Sequence, residues 1–276
     1  MFEIFQYSFM IRAFLAGIMI AIIAPLIGNF LVIRRLSLIA DTLSHIALSG
    51  VAIGLLIGSQ PLLTTIIITV IASIAIEKLR TSKNIPGEAV LAMFLPGGLA
   101  LSIVLISVAH GFNANLFSYL FGSITTVQEN ELWLIFGLGM VTVATIVFLY
   151  KKLLYASFDE ESARVSGIPI ELVNTLLIIL TAITVSLSMR VVGVLLIGAL
   201  MIIPVITAMQ IGRSFKQSIY FSLGFALTSV ILGLILAYYF NLPAGGAIVL
   251  LSLAIFGFVA TFSHTLARIL AIRSHE

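Results

Sequence analysis

Apolar residues occupy long blocks of this chain, separated by short polar turns. Roughly 20 apolar residues suffice for one helix to cross a bilayer. Blocks of that kind at 9–33, 38–57, 62–77, 89–109, 131–150, 170–189, 191–209, 217–240 and 247–264 predict an all-α, polytopic transmembrane helical bundle of about nine spans. The tightest break falls at Arg190. The stretch 112–124 is apolar but short for a span, and reads as re-entrant or interfacial. The first block follows a single Arg12 rather than a basic leader and precedes no small-residue cleavage site, so it reads as a permanent helix.

Positive charge tests the count, because Lys and Arg gather on the cytoplasmic side of membrane proteins. Arg34 and Arg35; Lys78, Arg80 and Lys83; Lys151, Lys152 and Arg164; Arg213 and Lys216; and Arg268 and Arg273 fall on one side. These are 12 of the 14 cations, and Arg12 and Arg190 are the other two. A missed span would reverse everything after it, so the alternation predicts an outside N-terminus and a cytoplasmic C-terminus.

Composition then excludes several classes. The 276 residues are 61% hydrophobic and 9% charged, which is far below the roughly 25% charged residues of soluble domains. The net charge of +3 belongs to loops facing an anionic leaflet, and no stretch suits nucleic acid. With no cysteine, there are no disulfides or thiolate ligands, leaving His, Asp and Glu for a transition metal. The chain lacks a His-Glu-x-x-His pair and a Gly-x-x-x-x-Gly-Lys-Ser/Thr phosphate loop, so it does not hydrolyse ATP by itself.

Against this background Asp41 and His45 stand out. Intramembrane ionisable residues are expensive and point to function. Their i, i+4 spacing stacks both side chains on one helix face, within reach of one metal ion. The bland alternative makes Asp41 a helix cap and His45 a packed polar residue. Ser44 lies about 100° round the helix from His45, which argues against a serine nucleophile. Gly50, Gly54 and Gly58 continue the same span with spacing suited to close helix packing.

Two further stretches matter. Residues 157–167 read as a short cytoplasmic helix capped by Ser157, with Asp159, Glu160 and Glu161 in its first turn and Gly167 and Pro169 ending it. It suits the docking of a soluble partner or an idle surface helix. The block beginning at Val191 is interrupted by Pro204, which bends a helix for packing or for a pathway. His110, His264 and His275 lie at span ends or in the tail, where they need no special role. Glu77 and Glu88 balance the basic loop between them. Asn113, Asn115, Gln128, Glu129 and Glu131 form a cation-free outer face.

Three segments together carry a resemblance: Arg34-Arg-Leu-Ser-Leu-Ile-Ala-Asp41-Thr-Leu-Ser-His45, Phe158-Asp-Glu-Glu-Ser-Ala163-Arg-Val-Ser-Gly167-Ile, and Val192-Gly193-Val-Leu-Leu-Ile-Gly-Ala-Leu-Met-Ile-Ile-Pro204. In this order they resemble the membrane permease of zinc- and manganese-uptake ABC transporters, over nearly the whole chain. The Ala-Asp-Thr-Leu-Ser-His form is more similar to the zinc members. The resemblance implies an ABC importer permease in a bacterial cell membrane, one permease domain spanning 1–276. It implies a second copy of the chain, cytoplasmic ATP-binding subunits, an extracellular metal-binding lipoprotein and surrounding lipid as partners. It also implies that Asp41 and His45 contact a transported Zn²⁺ or Mn²⁺, with no permanently bound cofactor. The 157–167 segment, with Asp159, Glu160, Ala163 and Gly167, would couple to the ATPase. Two copies would offer two Asp and two His, a plausible four-ligand set. Protonated His45 would compete with metal. An Mn²⁺ or Fe²⁺ importer, an ATP-independent transporter or channel, and an intramembrane enzyme are the competing readings.

Overall fold

Hydrocarbon offers no water to pair with backbone N–H and C=O groups, so each apolar block must close its hydrogen bonds internally. A computed structural model describes residues 6–82, 85–108, 115–125 and 127–273, with side chains for all but 115, 116 and 263–273. Its helices are α1 (Ser8–Ile33), α2 (Ser37–Leu56), α3 (Pro61–Arg80), α4 (Gly87–Val108), α5 (Asn115–Phe121), α6 (Glu129–Phe158), α7 (Glu160–Val165), α8 (Ile170–Ser188), α9 (Ile197–Ile211), α10 (Phe215–Phe240) and α11 (Ala244–Arg273). Eight are long and apolar enough to cross a membrane, and α9 is a shorter apolar helix. These nine match the nine predicted blocks one for one. Lys83, His110, Asn113 and His275, and the side chains of Asn115, His264, Arg268 and Arg273, lie outside the described set.

Helices α1, α2 and α8 form the interior. α1 packs against α6, α8, α9 and α10, while α2 packs against α3, α4, α8 and α9. Asn29 on α1 donates to the Ser222 hydroxyl of α10 at 2.9 Å, a polar tie inside an apolar contact. Gly50 and Gly54 meet the backbone of Thr65 and Pro61, so α2 and α3 approach closely where glycine spacing predicts it. Gly58 does not join them: α2 has ended at Leu56, and Gly58 sits in open space in the following turn. The outer faces of α6 and α11 expose Trp133, Phe148, Leu250 and Phe258, an apolar exterior suited to lipid.

The block predicted at 191–209 folds differently. Residues 189–196 are irregular, and α9 begins only at Ile197. Gly193 takes a left-handed φ of +87°, which a continuous helix cannot contain. The break pairs with the end of α5: Val194 N–H donates to the Tyr119 carbonyl at 2.9 Å, Leu195 N–H to that of Leu120 at 3.2 Å, and Ser123 N–H to that of Arg190 at 3.0 Å. Val191, Val192 and Val194 are buried. Non-helical backbone survives among apolar helices only where protein meets its polar groups, and α5 does so here. Part of the short 112–124 stretch thus forms the helix that backs the break. Pro204 lies within α9 as read from the sequence.

A side chain at Gly193 meets both a left-handed backbone and the opposing backbone of Leu120–Gly122. Gly193→Ala should lower stability by about 2 kcal/mol, whereas Gly224→Ala, with open space around its Cβ position, should be neutral or slightly stabilising. Melting temperatures of the two variants in detergent test this, and equal values would refute the role given to the break.

Candidate functional site

The site is built on the turn that launches α2. Arg35 N–H donates to the Val32 carbonyl at 3.0 Å and Leu36 N–H to that of Leu31 at 2.8 Å, closing α1 in a paired capping motif. Glycine usually fills the left-handed position of that motif, yet here it is Arg35, at φ +58°. A side chain there costs about 1 kcal/mol. α2 then starts at Ser37. Asp41 lies a full turn inside, beyond the open amides at the helix start, so capping does not account for it.

Along α2, Ile39, Ala40, Leu43 and Ser44 are buried, Asp41 and His45 are half-buried, and Leu38 is exposed. These three mark one accessible stripe. Neighbouring hydroxyls turn back onto the helix, with Thr42 donating to the Leu38 carbonyl at 2.8 Å and Ser44 to that of Asp41 at 2.7 Å. Neither the Asp41 carboxylate nor the His45 ring has a hydrogen bond or ion pair among the described residues, and His45 Nδ1 is buried without a partner. Other helices hold the backbone behind them. A Cβ built on Gly198, in the first turn of α9, would stand 3.5 Å from the Asp41 nitrogen, and Ser102 of α4 donates to the His45 carbonyl at 3.5 Å. The third sequence segment therefore packs directly on the first.

The 157–167 loop is helical as predicted, but its cap differs. α6 runs on to Phe158, and Ser157 donates to the Leu153 carbonyl at 2.6 Å, so it is part of α6. Asp159 caps α7, accepting from Ser162 N at 2.9 Å and from the Ser162 hydroxyl at 2.5 Å. Extended backbone at Asp159 breaks α6 and lets its side chain reach forward. Ala163 is fully buried, while Glu160 faces solvent in an exposed pair with Arg164 at 3.5 Å. Gly167, at φ +80°, ends α7 with Ile168 N–H on the Ala163 carbonyl at 3.1 Å.

Arg34 connects this loop to α2, a link that sequence reading used only as an orientation signal. Its Nε donates to Ser157 Oγ at 2.9 Å, its Nη1 donates to Asn174 Oδ1 on α8, and its Nη2 is buried without a partner. Burial pushes the guanidinium below its ordinary value, and Glu160 pulls it back up. It remains a cation, set at the carboxyl ends of α1 and α6, where helix dipoles favour positive charge.

At the opposite end of the bundle, the face expected to be free of cations carries Arg12 and Arg190. Arg190 Nε donates to Glu131 Oε1 at 2.9 Å, with both side chains nearly buried and the guanidinium 4.5 Å from the centre of the Tyr119 ring. Glu131 also accepts from Gln128 N at 3.3 Å, closing a capping box on α6. Arg12 Nε donates to the Val127 carbonyl at 3.0 Å beside them. Together with Ser59, Gln60 and Glu129 they line a polar pocket of about 780 Å³. Glu77, in contrast, neutralises its neighbour as expected, taking two bonds from Arg80 at 2.8 and 2.9 Å.

An all-helical bundle with an apolar exterior and eight helices long and apolar enough to cross a bilayer defines a multi-pass membrane protein. Comparison with known proteins makes the class specific. The family model described as ABC 3 transport family matches residues 6–263. The manganese import system permease protein ScaB of Streptococcus gordonii is 34% identical, over 91% of this chain and 90% of that protein. The high-affinity zinc uptake system membrane protein ZnuB of Haemophilus influenzae is 32% identical, over 91% and 96%. The structure of PsaBC from Streptococcus pneumoniae in complex with Fab matches with a TM-score of 0.84 at 32% identity, covering 93% of this chain and 92% of that one. The chain belongs to the ABC 3 transport family and is a membrane permease of the zinc- and manganese-uptake type.

Removing one member of a buried ion pair strands the other, at a cost of about 3–5 kcal/mol. Glu131→Leu should therefore lower the melting temperature sharply, and adding Arg190→Met should restore most of it. A double variant no better than the single would mean that the pair does not act as a unit. Asp159 gives a pH prediction. Hydrogen bonds from the Ser162 hydroxyl and backbone depress its pKa below the ordinary 3.8. Its stabilising contribution is thus present above that value and lost as pH falls through the depressed one. Ser162→Ala should move the titration upward, read from the carboxylate carbon-13 shift.

Proposed function

We propose that this chain is the permease subunit of an ATP-driven importer of divalent metal ions, with Zn²⁺ as cargo, and that Asp41 and His45 contact the ion as it crosses. The observation carrying this reading is the α2 stripe: two ligand types at i, i+4, partly accessible and without a partner among the described residues. A carboxylate and an imidazole so placed are ready for a cation. Among the described residues no group of three or more His, Asp or Glu could hold a metal, so one copy supplies half a site. A second copy related by a twofold axis would complete it with two of each ligand. Such a site must accept the ion and release it, and it holds no resident cofactor.

The chain's part is non-catalytic. ATP is hydrolysed by separate cytoplasmic subunits, which dock on α7. Asp159 fixes the start of that helix, Ala163 anchors it, Gly167 ends it, and Glu160 faces outward beside exposed Phe158 and Val165. The distribution of cations supports a bacterial cell membrane topology with the N-terminus outside and α7 cytoplasmic. The outer pocket would then face an extracellular metal-binding lipoprotein. The whole chain acts as one permease domain with α7 inside it. Manganese is the second reading: relatives named for manganese and for zinc are almost equally similar, and Asp and His suit both ions.

ATP-dependent uptake of Zn²⁺ and Mn²⁺ by the complex reconstituted with its ATPase and binding protein tests this. Removing even an outer partner of a metal ligand costs about 10- to 100-fold, so Asp41→Ala and His45→Ala should each lose at least about tenfold in zinc uptake at unchanged expression. Unimpaired variants would make both residues structural, and a preference for manganese would overturn the cargo.

A further inference from the structure

Three features of the α1–α2 turn meet at one side chain. The first is position: Arg34 stands three residues before α2, and α2 rises by only about 6 Å from Ser37 to Asp41. The second is connectivity. The partners of the guanidinium, Ser157 and Asn174, lie on α6 and α8, the two helices that bracket α7 on either side. α7 packs on those same two helices. The third is the turn's own conformation, since Arg35 is held left-handed at a cost.

We propose that Arg34 is a positioning residue that transmits displacement of α7 to the Asp41–His45 stripe, its guanidinium acting as a strut between α6, α8 and the start of α2. The proposal rests on the permease reading above and adds a route to it. A push on α7 moves the ends of α6 and α8, to which it is joined. Arg34 is bonded to both ends, so it carries the movement into the turn, and the strained Arg35 lets the turn yield as a hinge. The guanidinium suits this role because its planar fork holds two acceptors in fixed geometry, which an ammonium cannot do. The unpartnered Nη2 is a spare donor, available to a new acceptor when the helix ends shift.

The test uses the assembled transporter with its ATPase and binding protein in liposomes, and reads metal ions moved per ATP hydrolysed. Ser157→Ala combined with Asn174→Leu keeps Arg34 and removes both of its acceptors, and assembly of the complex is measured alongside. Coupled networks shift by amounts worth about tenfold when cut, so this double variant should lower the ratio about tenfold with hydrolysis maintained. Asn174→Asp, which keeps an acceptor and adds charge, should retain the ratio. Arg34→Lys should fall between wild type and the double variant. An unchanged ratio in the double variant would overturn the proposal, as would uptake and hydrolysis falling in parallel with loss of assembled complex. A wild-type complex that moves no metal would instead overturn the permease reading itself, so the two failures are distinguishable.

Discussion

A polar group inside a bundle of apolar helices has to be met by another polar group of the same bundle, because neither lipid nor a packed core can satisfy it. The break at residues 189–196 answers that constraint. The irregular residues 189–196 borrow their partners from the end of α5, with Gly122 and Gly193 allowing the two backbones to lie together. Arg190, at the end of that break, is neutralised by Glu131 and covered by Tyr119. Arg34, at the other end of the molecule, is held by a hydroxyl and an amide. Asp41 and His45 are the contrast: their side chains have no partner among the described residues and lie on a partly accessible stripe.

The spans were legible in the sequence because the signal is local: an apolar block of membrane length has to be a helix wherever its neighbours lie. Alternating Lys and Arg then checked the count independently of hydropathy. The block after Arg190 misled for the same reason. Val191 to Leu196 is as apolar as any span, and hydropathy cannot report that its backbone is paired with Tyr119 and Leu120 some 70 positions earlier. Gly193 was the available clue, since its left-handed conformation ends regular structure, but glycine is common in membrane helices. The cap of α7 failed more narrowly. Ser157 and Asp159 are both good capping residues, and the choice turned on where α6 stops. That Asp41 and His45 share one face of α2 was legible from spacing alone. The supports of that pair, Gly198 and Ser102, come from helices remote in sequence and carried no local mark.

The outer face shows how charge reading goes astray when it counts residues without pairing them. Glu131 looked like part of an acidic, cation-free surface, yet its partner Arg190 arrives from the break between α8 and α9. The pair ties the start of α6 to the irregular segment, while Arg12 ties α1 to the residues just before α6. The two cations that deviate from the charge alternation are thus the two that brace one end of the bundle. Their cost is met by short-range partners, so they do not weaken the orientation inferred from the others.

The three recognisable segments of the sequence become one mechanical unit in space. The first contributes both Arg34 and the Asp41–His45 stripe, the second is α7 with its flanks, and the third brings Gly198 against Asp41. At Gly198 a Cβ would stand 3.5 Å from the Asp41 nitrogen, an ordinary contact distance, so α9 lies directly against the start of α2 there. The stripe is therefore backed on one side by a helix that begins only after a break, and joined on the other to the helices bracketing α7. The stripe thus lies between the two interruptions of an otherwise close-packed interior, the α1–α2 turn and residues 189–196.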